Sequence, residues 1–421
     1  MCGNACFEKT LHYTSPGHGG WGIIRVAALI PESYLLFICP SACFRHGALG
    51  AIQHGYKNRI SYLYITPADI VEGYDRIIEE GTAELLEGTK EKIKVLFLFV
   101  SCLDDFIGTD LDMVARQLEK KYEGITIRAC HMNPIAMETS MPPLVTVYRS
   151  MLSAIPKEEA QKEKENAINL LGTFEPIPKK CEIHDFMRFH GIEEVKQIAD
   201  CKDFEEYSQM GRSRYNLVMT PAAACAADYV DKTYVTSSVR GYVSYDVEEI
   251  ERTYQEIEVF LKTEKRYDFT KEKEETDRAI KRAVQKAAGI PVIVSDSAVL
   301  RPFSLALALY RYGFNVTEVI AQNVSSVEKG SFEKLLELHK TIKINQPQHH
   351  KVAVRDNPDT RAVAIGFEGA YLRQSDHVVD LSEDEGMFGY DGVQRLMHMI
   401  EKSVDKKADL RKMIEEYGAV V

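Results

Sequence analysis

The sequence has 421 residues, with 63 acidic and 52 basic side chains and a formal net charge of −11. This length has room for two or three domains with their own cores, and the mildly acidic balance argues against nucleic acid as the main partner. No apolar run reaches the roughly 18 residues of a membrane span. The N-terminal MCGNACFEKT lacks the basic start and apolar middle of a signal peptide. We therefore expect a cytoplasmic protein that does not bind membranes.

The first third of the chain alternates between short apolar runs and amphipathic stretches. A glycine-rich segment ends at Gly22, and the sequence has no GxxxxGK[ST] motif for phosphate binding. The apolar runs predict strands over 34–38, 60–65, 95–100 and 125–129. Helical spacing predicts a helix near 69–86 and another through Ile107, Leu111, Val114 and Leu118.

The same alternation continues to the C-terminus. The charged run 156–166 is typical of a boundary or an exposed helix. Beyond it, strands are predicted from Ala167 and over 195–198, 215–219, 290–294, 314–320, 352–354 and 363–365. Helices are predicted over 182–189, through Cys225, over much of 247–288, over 305–312 and after GMFGYDG. This order predicts an α/β fold of three Rossmann-like domains, each a mainly parallel sheet flanked by helices, at 1–155, 156–288 and 289–421.

Two of the predicted strands run directly into cysteines. The first leads into Cys39 and Cys43, and the strand at 95–100 is followed by Cys102. The carboxyl ends of parallel strands form the edge where open α/β sheets bind ligands. Cysteines in a cytosolic chain are expected to be reduced, and thiolates are natural ligands of iron–sulfur clusters. We therefore predict that Cys39, Cys43 and Cys102 bind a metal centre, although their spacing matches neither zinc CxxC pairs nor a ferredoxin run.

The remaining cysteines need a separate interpretation. We expect the four later ones to be small buried residues, namely Cys130, Cys181, Cys201 and Cys225. Two more, Cys2 and Cys6, lie in the N-terminal segment.

Three short stretches carry a resemblance to a known family. They are ICPSACFRHG, SCLDDFIGTDLDMVA and FGYDG. Their order and spacing resemble the component 1 subunits of nitrogenase and their relatives, the dark-operative protochlorophyllide reductases and cofactor-assembly scaffolds. Pro40 and Cys43 match that family's Gly-Pro-x-Gly-Cys loop, and FGYDG is similar to its C-terminal Gly-Tyr-x-Gly turn. The residues that match its Cys-x-x-x-x-Ile-Gly-Asp-Asp loop are Cys102, Ile107, Gly108 and Asp110.

The resemblance implies a function as well as a fold. In this family two component 1-type subunits, identical or paralogous, hold a [4Fe–4S] or larger cluster between them, and a separate ATP-hydrolysing iron protein delivers electrons. The implied ligands here are Cys43 and Cys102, with Cys39 as an extra candidate. The chain is thus expected to be a subunit of a nitrogenase-like oxidoreductase, with no catalytic residue assigned. A non-catalytic scaffold for metallocofactor assembly is the alternative. A 2-hydroxyacyl-CoA dehydratase-like enzyme is a third interpretation. The matches at FIGTD and FGYDG argue against it.

The sequence departs from the family pattern in its first domain. A further cysteine of the family should fall near Gly17 to Gly20, where this sequence has none. Cys2 or Cys6 is the candidate to replace it, but the sequence does not show that either one reaches the site.

A second departure concerns the catalytic metal cofactor of true nitrogenases. Its cysteine and histidine ligands would fall near Thr220 and Val379 of this chain. The nearest candidates, Cys225 and His377, are out of register with those positions. We therefore do not expect dinitrogen reduction.

Overall fold

A computed structural model describes residues 5–6, 22–133, 142–349 and 361–416 of the chain. Within these ranges the protein is α/β, and its strands form three sheets in which every neighbouring pair is parallel. This confirms the predicted fold class. The strand predicted at 352–354 lies outside the described residues, as do Cys2 and the segment from Gly17 to Gly20.

The strands are short, as is usual for parallel sheets covered by helices. In chain order they are β1 (Ala5–Cys6), β2 (Ser33–Cys39), β3 (Ile60–Tyr64), β4 (Val95–Val100), β5 (Thr126–His131), β6 (Glu165–Leu171), β7 (Glu194–Gln197), β8 (Ser213–Val218), β9 (Ser237–Arg240), β10 (Pro291–Ser295), β11 (Asn315–Ile320), β12 (Lys343–Asn345), β13 (Val363–Ile365) and β14 (His377–Val379).

Helices follow most of these strands. They are α1 (Gly22–Ala28), α2 (Ser41–Gln53), α3 (Pro67–Glu72), α4 (Asp75–Gly88), α5 (Cys102–Ile107), α6 (Leu111–Lys121), α7 (Pro143–Leu152), α8 (Glu182–Phe189), α9 (Phe204–Gln209), α10 (Pro221–Tyr234), α11 (Val247–Phe260), α12 (Thr270–Lys286), α13 (Pro302–Tyr312), α14 (Lys329–Leu338), α15 (Phe367–Arg373), α16 (Gly389–Asp405) and α17 (Leu410–Glu416). Among the described residues, no helix is both long enough and apolar enough to cross a membrane.

The first sheet has the strand order β3-β2-β4-β5. Every residue of its two central strands, β2 and β4, is buried, because parallel strands of this kind are covered by helices on both faces. On one face, Leu36 and Leu98 join a core cluster that includes residues of α4 and α6. On the other face, the rings of Phe37 and Phe99 stack with centroids 4.7 Å apart, and Phe44 of α2 packs against Phe37.

The second and third sheets repeat this pattern. Their strand orders are β7-β6-β8-β9 and β1-β12-β11-β10-β13-β14. The central strands of the third sheet are buried, since Val292 and Val363 are both 0% exposed. The short strand β1 extends this third sheet by pairing with β12, so Cys6 lies beside Asn345 in the backbone register.

Contacts group the chain into two compact units. One comprises Gly20–Pro176 and Ile192–Arg240 and holds the first and second sheets. The other comprises β1, Ile177–Gly191 and the chain from Gly241 onward, and it holds the third sheet with α8, α11 and α12. The domain boundaries predicted after residues 155 and 288 stay predictions.

Two of the predicted helices are each split by a glycine. The helix predicted near 69–86 is α3 and α4, with Gly73 between them at φ 84°. The helix predicted through Ile107 is α5 followed by α6, because Gly108 ends α5 in the left-handed conformation at φ 77°. Ile107 and Leu111 nevertheless pack against the same core cluster, which explains why helical spacing continues across the break.

Candidate metal–sulfur site at the edge of the first sheet

The predicted cysteines come together at one edge of the first sheet. Cys39 is the last residue of β2, and Cys43 lies in the first turn of α2. Cys102 is the first residue of α5, two positions after the end of β4. Since β2 and β4 are parallel neighbours with Ile38 beside Val100, both strands deliver their cysteines to the same carboxyl edge, where α/β sheets bind ligands.

Local sequence explains why helices start here. Pro40 is the N-cap residue of α2 at φ −58°, and its carbonyl accepts the N–H of Cys43 at 3.0 Å. Ser101 caps α5 by accepting the N–H of Leu103 at 3.4 Å. The loops are therefore short, and each thiol lies in the first helical turn after its strand or at the strand end itself.

The three thiols differ in exposure. Cys39 is only 1% exposed, whereas Cys43 and Cys102 are half-buried. Burial, followed by the neighbouring Cys43, raises the pKa of Cys39 to about 12. Burial, followed by Cys102, also raises the pKa of Cys43. Both shifts favour the neutral thiol, so thiolates at this edge require a positively charged group beside them, such as a metal ion.

The described chain does not by itself complete a metal site. Among the side chains that the structure describes, no group of three or more histidines, cysteines, aspartates and glutamates is arranged to hold a metal ion. The backbone of Cys6 lies in β1 of the third sheet, and its side chain is outside the description, as is Cys2. The donors at this edge are therefore two half-buried thiols, Cys43 and Cys102, with a buried third at Cys39.

The later cysteines follow the prediction only in part. Cys130 and Cys181 are buried, as expected, but Cys201 and Cys225 are half-buried. All seven cysteines with described side chains are free thiols.

Cys225 and His377 are the residues nearest the positions expected for the ligands of the nitrogenase cofactor. Cys225 lies in the second turn of α10, whose N-cap is Thr220. His377 is the first residue of β14, at the amino end of the strand that Val379 terminates. Its Nδ1 lies 2.7 Å from the carbonyl oxygen of Ser403, so that nitrogen is engaged in a hydrogen bond within the third-sheet unit.

A buried carboxylate follows Cys102 by two residues in α5. Asp104 in the first turn of α5 is 3% exposed and accepts the Tyr74 hydroxyl at 2.5 Å. Nδ1 of His131 lies 3.8 Å from its other oxygen. Burial, followed by the bond to Asp104, raises the pKa of Tyr74 well above its usual range. Tyr74 is the N-cap residue of α4 and His131 ends β5, and no sequence pattern links them to Cys102.

The FGYDG motif forms the start of α16. Glu182 of α8 accepts the backbone N–H groups of Tyr390 at 2.6 Å and Asp391 at 3.1 Å, and the Tyr254 hydroxyl at 2.8 Å. Gly389 has φ +56°, and a Cβ there would overlap Oε1 of Glu182. The first glycine of the motif is thus required by the close approach of a buried carboxylate to the helix N-terminus.

Comparisons with known proteins agree on one family. The family model described as nitrogenase component 1 type oxidoreductase matches residues 20–405. The structure of nitrogenase Cp1 at pH 6.5 is similar with a TM-score of 0.72 and 14% identity, over 95% of this chain and 94% of that chain. Nitrogenase Cp1 at pH 5 is similar with a TM-score of 0.59 and 13% identity, over 95% and 90% of the two chains.

A relative of known name also matches in sequence. The nitrogenase iron-molybdenum cofactor biosynthesis protein NifE of Clostridium pasteurianum is 23% identical over 197 residues, which are 45% of this chain and 41% of that protein. The aligned part thus spans less than half of that relative. The family model covers most of this chain, and the structural likeness extends over nearly all of it. The chain belongs to the nitrogenase component 1 type oxidoreductase family.

Proposed function

We propose that this chain is a cytoplasmic subunit of a nitrogenase-like oxidoreductase that carries an iron–sulfur cluster. It would pass electrons from an ATP-hydrolysing iron protein to a substrate. The observation that supports this proposal is the pair of half-buried thiols, Cys43 and Cys102, at the carboxyl ends of two neighbouring parallel strands.

The donors at this edge fit such a cluster. Cys43 and Cys102 would hold it, and Cys39 is an additional candidate whose burial requires a local movement before it can bind metal. The raised pKa of Cys43 agrees with a site that becomes thiolate only beside positive charge. When bound, the cluster would supply one-electron transfer, and a [4Fe–4S] type with cysteine ligation is the form we propose.

The site needs partners. Two or three thiols are fewer than the four ligands of a [4Fe–4S] cluster, so we propose that a second component 1-type subunit, identical or paralogous, supplies the rest. The sequence contains no GxxxxGK[ST] motif, which supports a separate protein as the site of ATP hydrolysis.

A scaffold for metallocofactor assembly is the second candidate function. It is favoured by the likeness to NifE, whose name describes a cofactor biosynthesis protein. The two functions are distinguished by what the loaded protein does next. Substrate-dependent turnover with an iron protein and ATP supports the oxidoreductase, whereas transfer of bound metal to a second apoprotein supports the scaffold.

The proposal is tested by anaerobic purification with iron and sulfide analysis and an EPR spectrum after dithionite reduction. We expect about four irons per cluster in the wild type and loss of iron and signal in Cys43→Ala and Cys102→Ala. Cys201→Ala is the matched control, because Cys201 is also half-buried but lies near the second sheet, with its thiol 3.4 Å from the Gln197 carbonyl oxygen. An iron-free wild type that also fails reconstitution would contradict the proposal.

A further inference from the structure

A row of aromatic rings lies directly below the cysteine edge of the first sheet. In the strand register Phe37 of β2 pairs with Tyr62 of β3 on one side and with Phe99 of β4 on the other. Phe44 of α2 covers this row, stacking on Tyr62 at 4.5 Å and meeting Phe37 edge-on at 5.6 Å between centroids. We name Phe37, Phe44, Tyr62 and Phe99 the aromatic floor.

The aromatic floor and Cys39 share one face of the sheet. Cys39 follows Phe37 by two residues, so both side chains lie on the same face of β2. Two residues of strand rise separate the floor from the cysteine edge by about 7 Å. Cys43 immediately precedes Phe44 in α2. The floor therefore lies between the candidate metal site and the interior of the first sheet.

The aromatic floor is fully buried at its centre and partly exposed to solvent at its β3 end. Phe37 and Phe99 are both 0% exposed, whereas Tyr62 is 43% exposed because β3 is an edge strand of this sheet. The Phe44–Tyr62 stack is thus the part of the floor that meets water at the sheet edge, next in sequence to Cys43. Nothing in the proposed cluster ligation requires aromatic residues at these two positions.

We propose that Phe44, held by Tyr62, is a positioning residue that shields the Cys43 side of the site from water. The shield would also set the reduction potential of the bound cluster, and this consequence rests on the proposed function. A cluster with thiolate ligands gains negative charge on reduction, and water stabilises the more highly charged form. Removing the shield therefore shifts the potential to more positive values.

The shield is tested first on the full-length chain after chelation of metals, by iodoacetamide labelling with mass spectrometry of each cysteine. Phe44→Ala is expected to increase the labelling rate of Cys43 and to leave that of Cys102 unchanged. Tyr62→Phe retains a stacking ring and is expected to behave like the wild type. Phe332→Ala is the matched control, because Phe332 belongs to an aromatic pair with Phe303 in the third-sheet unit.

An unchanged Cys43 rate in a folded Phe44→Ala variant would overturn the inference. If Phe44→Ala increased the labelling rate equally at every cysteine, the variant would be unfolded. The labelling rate of Cys43 in Phe44→Leu, which keeps an apolar side chain, is then the deciding measurement. Selective acceleration of Cys43 in Phe44→Leu supports the shield, and a wild-type rate overturns it.

The second measurement is a redox titration of the iron-loaded chain followed by EPR. We expect a more positive midpoint potential in Phe44→Ala than in the wild type and in Tyr62→Phe, at equal iron content. A potential that stays unchanged overturns the inference alone and leaves the cluster in place. A wild type that takes up no iron overturns the proposed function instead, and the labelling result then stands independently of it.

Discussion

Gly389→Ala tests the interpretation of the FGYDG motif. The new methyl group would force a non-glycine residue into the left-handed conformation, at a cost of about 1–2 kcal/mol. It would also displace the Glu182 carboxylate, since the built Cβ overlaps Oε1 and lies 2.7 Å from the Tyr254 hydroxyl. Weakening hydrogen bonds to a charged group costs about 1.5–3 kcal/mol. We expect the start of α16 to lose about 2.5–5 kcal/mol of stability.

Hydrogen exchange at the amides of Tyr390 and Asp391 is the appropriate assay for this loss. Unfolding of a chain with several domains is not two-state, whereas exchange reports the local opening free energy. Gly392→Ala is the control, because a Cβ there meets nothing closer than 3.5 Å and the residue lies within α16. Alanine should be neutral or stabilise the helix by up to about 1 kcal/mol at that position. Equal protection in the two variants would refute the reasoning.

Three further predictions concern buried or capping carboxylates. Arg373→Met leaves Glu318, which accepts Nε of Arg373 at 2.7 Å, buried without its counter-charge. We expect hydrogen exchange at the amides of α15 to report a local loss of about 3–5 kcal/mol, with partial recovery when Glu318→Gln is added, and no recovery would contradict this. Burial raises the pKa of Asp384 from 3.8 to about 7, so the folded chain binds this proton more tightly than the unfolded chain. Stability should fall as pH rises from about 4 to about 7, and Asp384→Asn should flatten that part of the melting-temperature profile; an unchanged profile would count against it. Thr66→Ala removes a capping box and should cost α3 about 1 kcal/mol in hydrogen exchange, without affecting α10.

The fold class was predictable because the apolar runs are short and regularly spaced. The runs that became β2 and β4 are buried at every residue, and a continuous apolar run of this length is typical of a parallel strand covered on both faces. The cysteines that end these strands followed from the same pattern. The edge position of Cys39, Cys43 and Cys102 could therefore be inferred from the sequence.

The breaks in the helices could not be predicted from periodicity. Gly73 and Gly108 end α3 and α5, yet the apolar positions beyond them rest on the same core cluster, so the pattern shows no interruption. Short edge strands such as β9 and β14 were missed because three or four residues carry too little alternation to be recognised.

The surroundings of the candidate site were also beyond the sequence. Asp104 meets Tyr74 and His131 only through the packing of α4 and β5 against α5. The aromatic floor depends on the strand register, which places Tyr62 beside Phe37. Register is set by the assembled sheet, so neither neighbourhood is visible as a spacing along the chain.

The path of the chain between its two units has a consequence for synthesis and for dissection. Ala5 pairs with Ile344, and the segment Ile177–Gly191 belongs to the later unit although it is made before Arg240 completes the earlier one. Because chains emerge from the ribosome N-terminus first, the first and second sheets can close while α8 still lacks the helices and strands it packs with. A ribosome-bound chain therefore has to keep the apolar face of α8 from misassociating until the last third is made. A cut after Arg240 would keep the earlier unit within one fragment but would remove β1 and Ile177–Gly191 from the later unit, so the later unit cannot be isolated as one consecutive fragment.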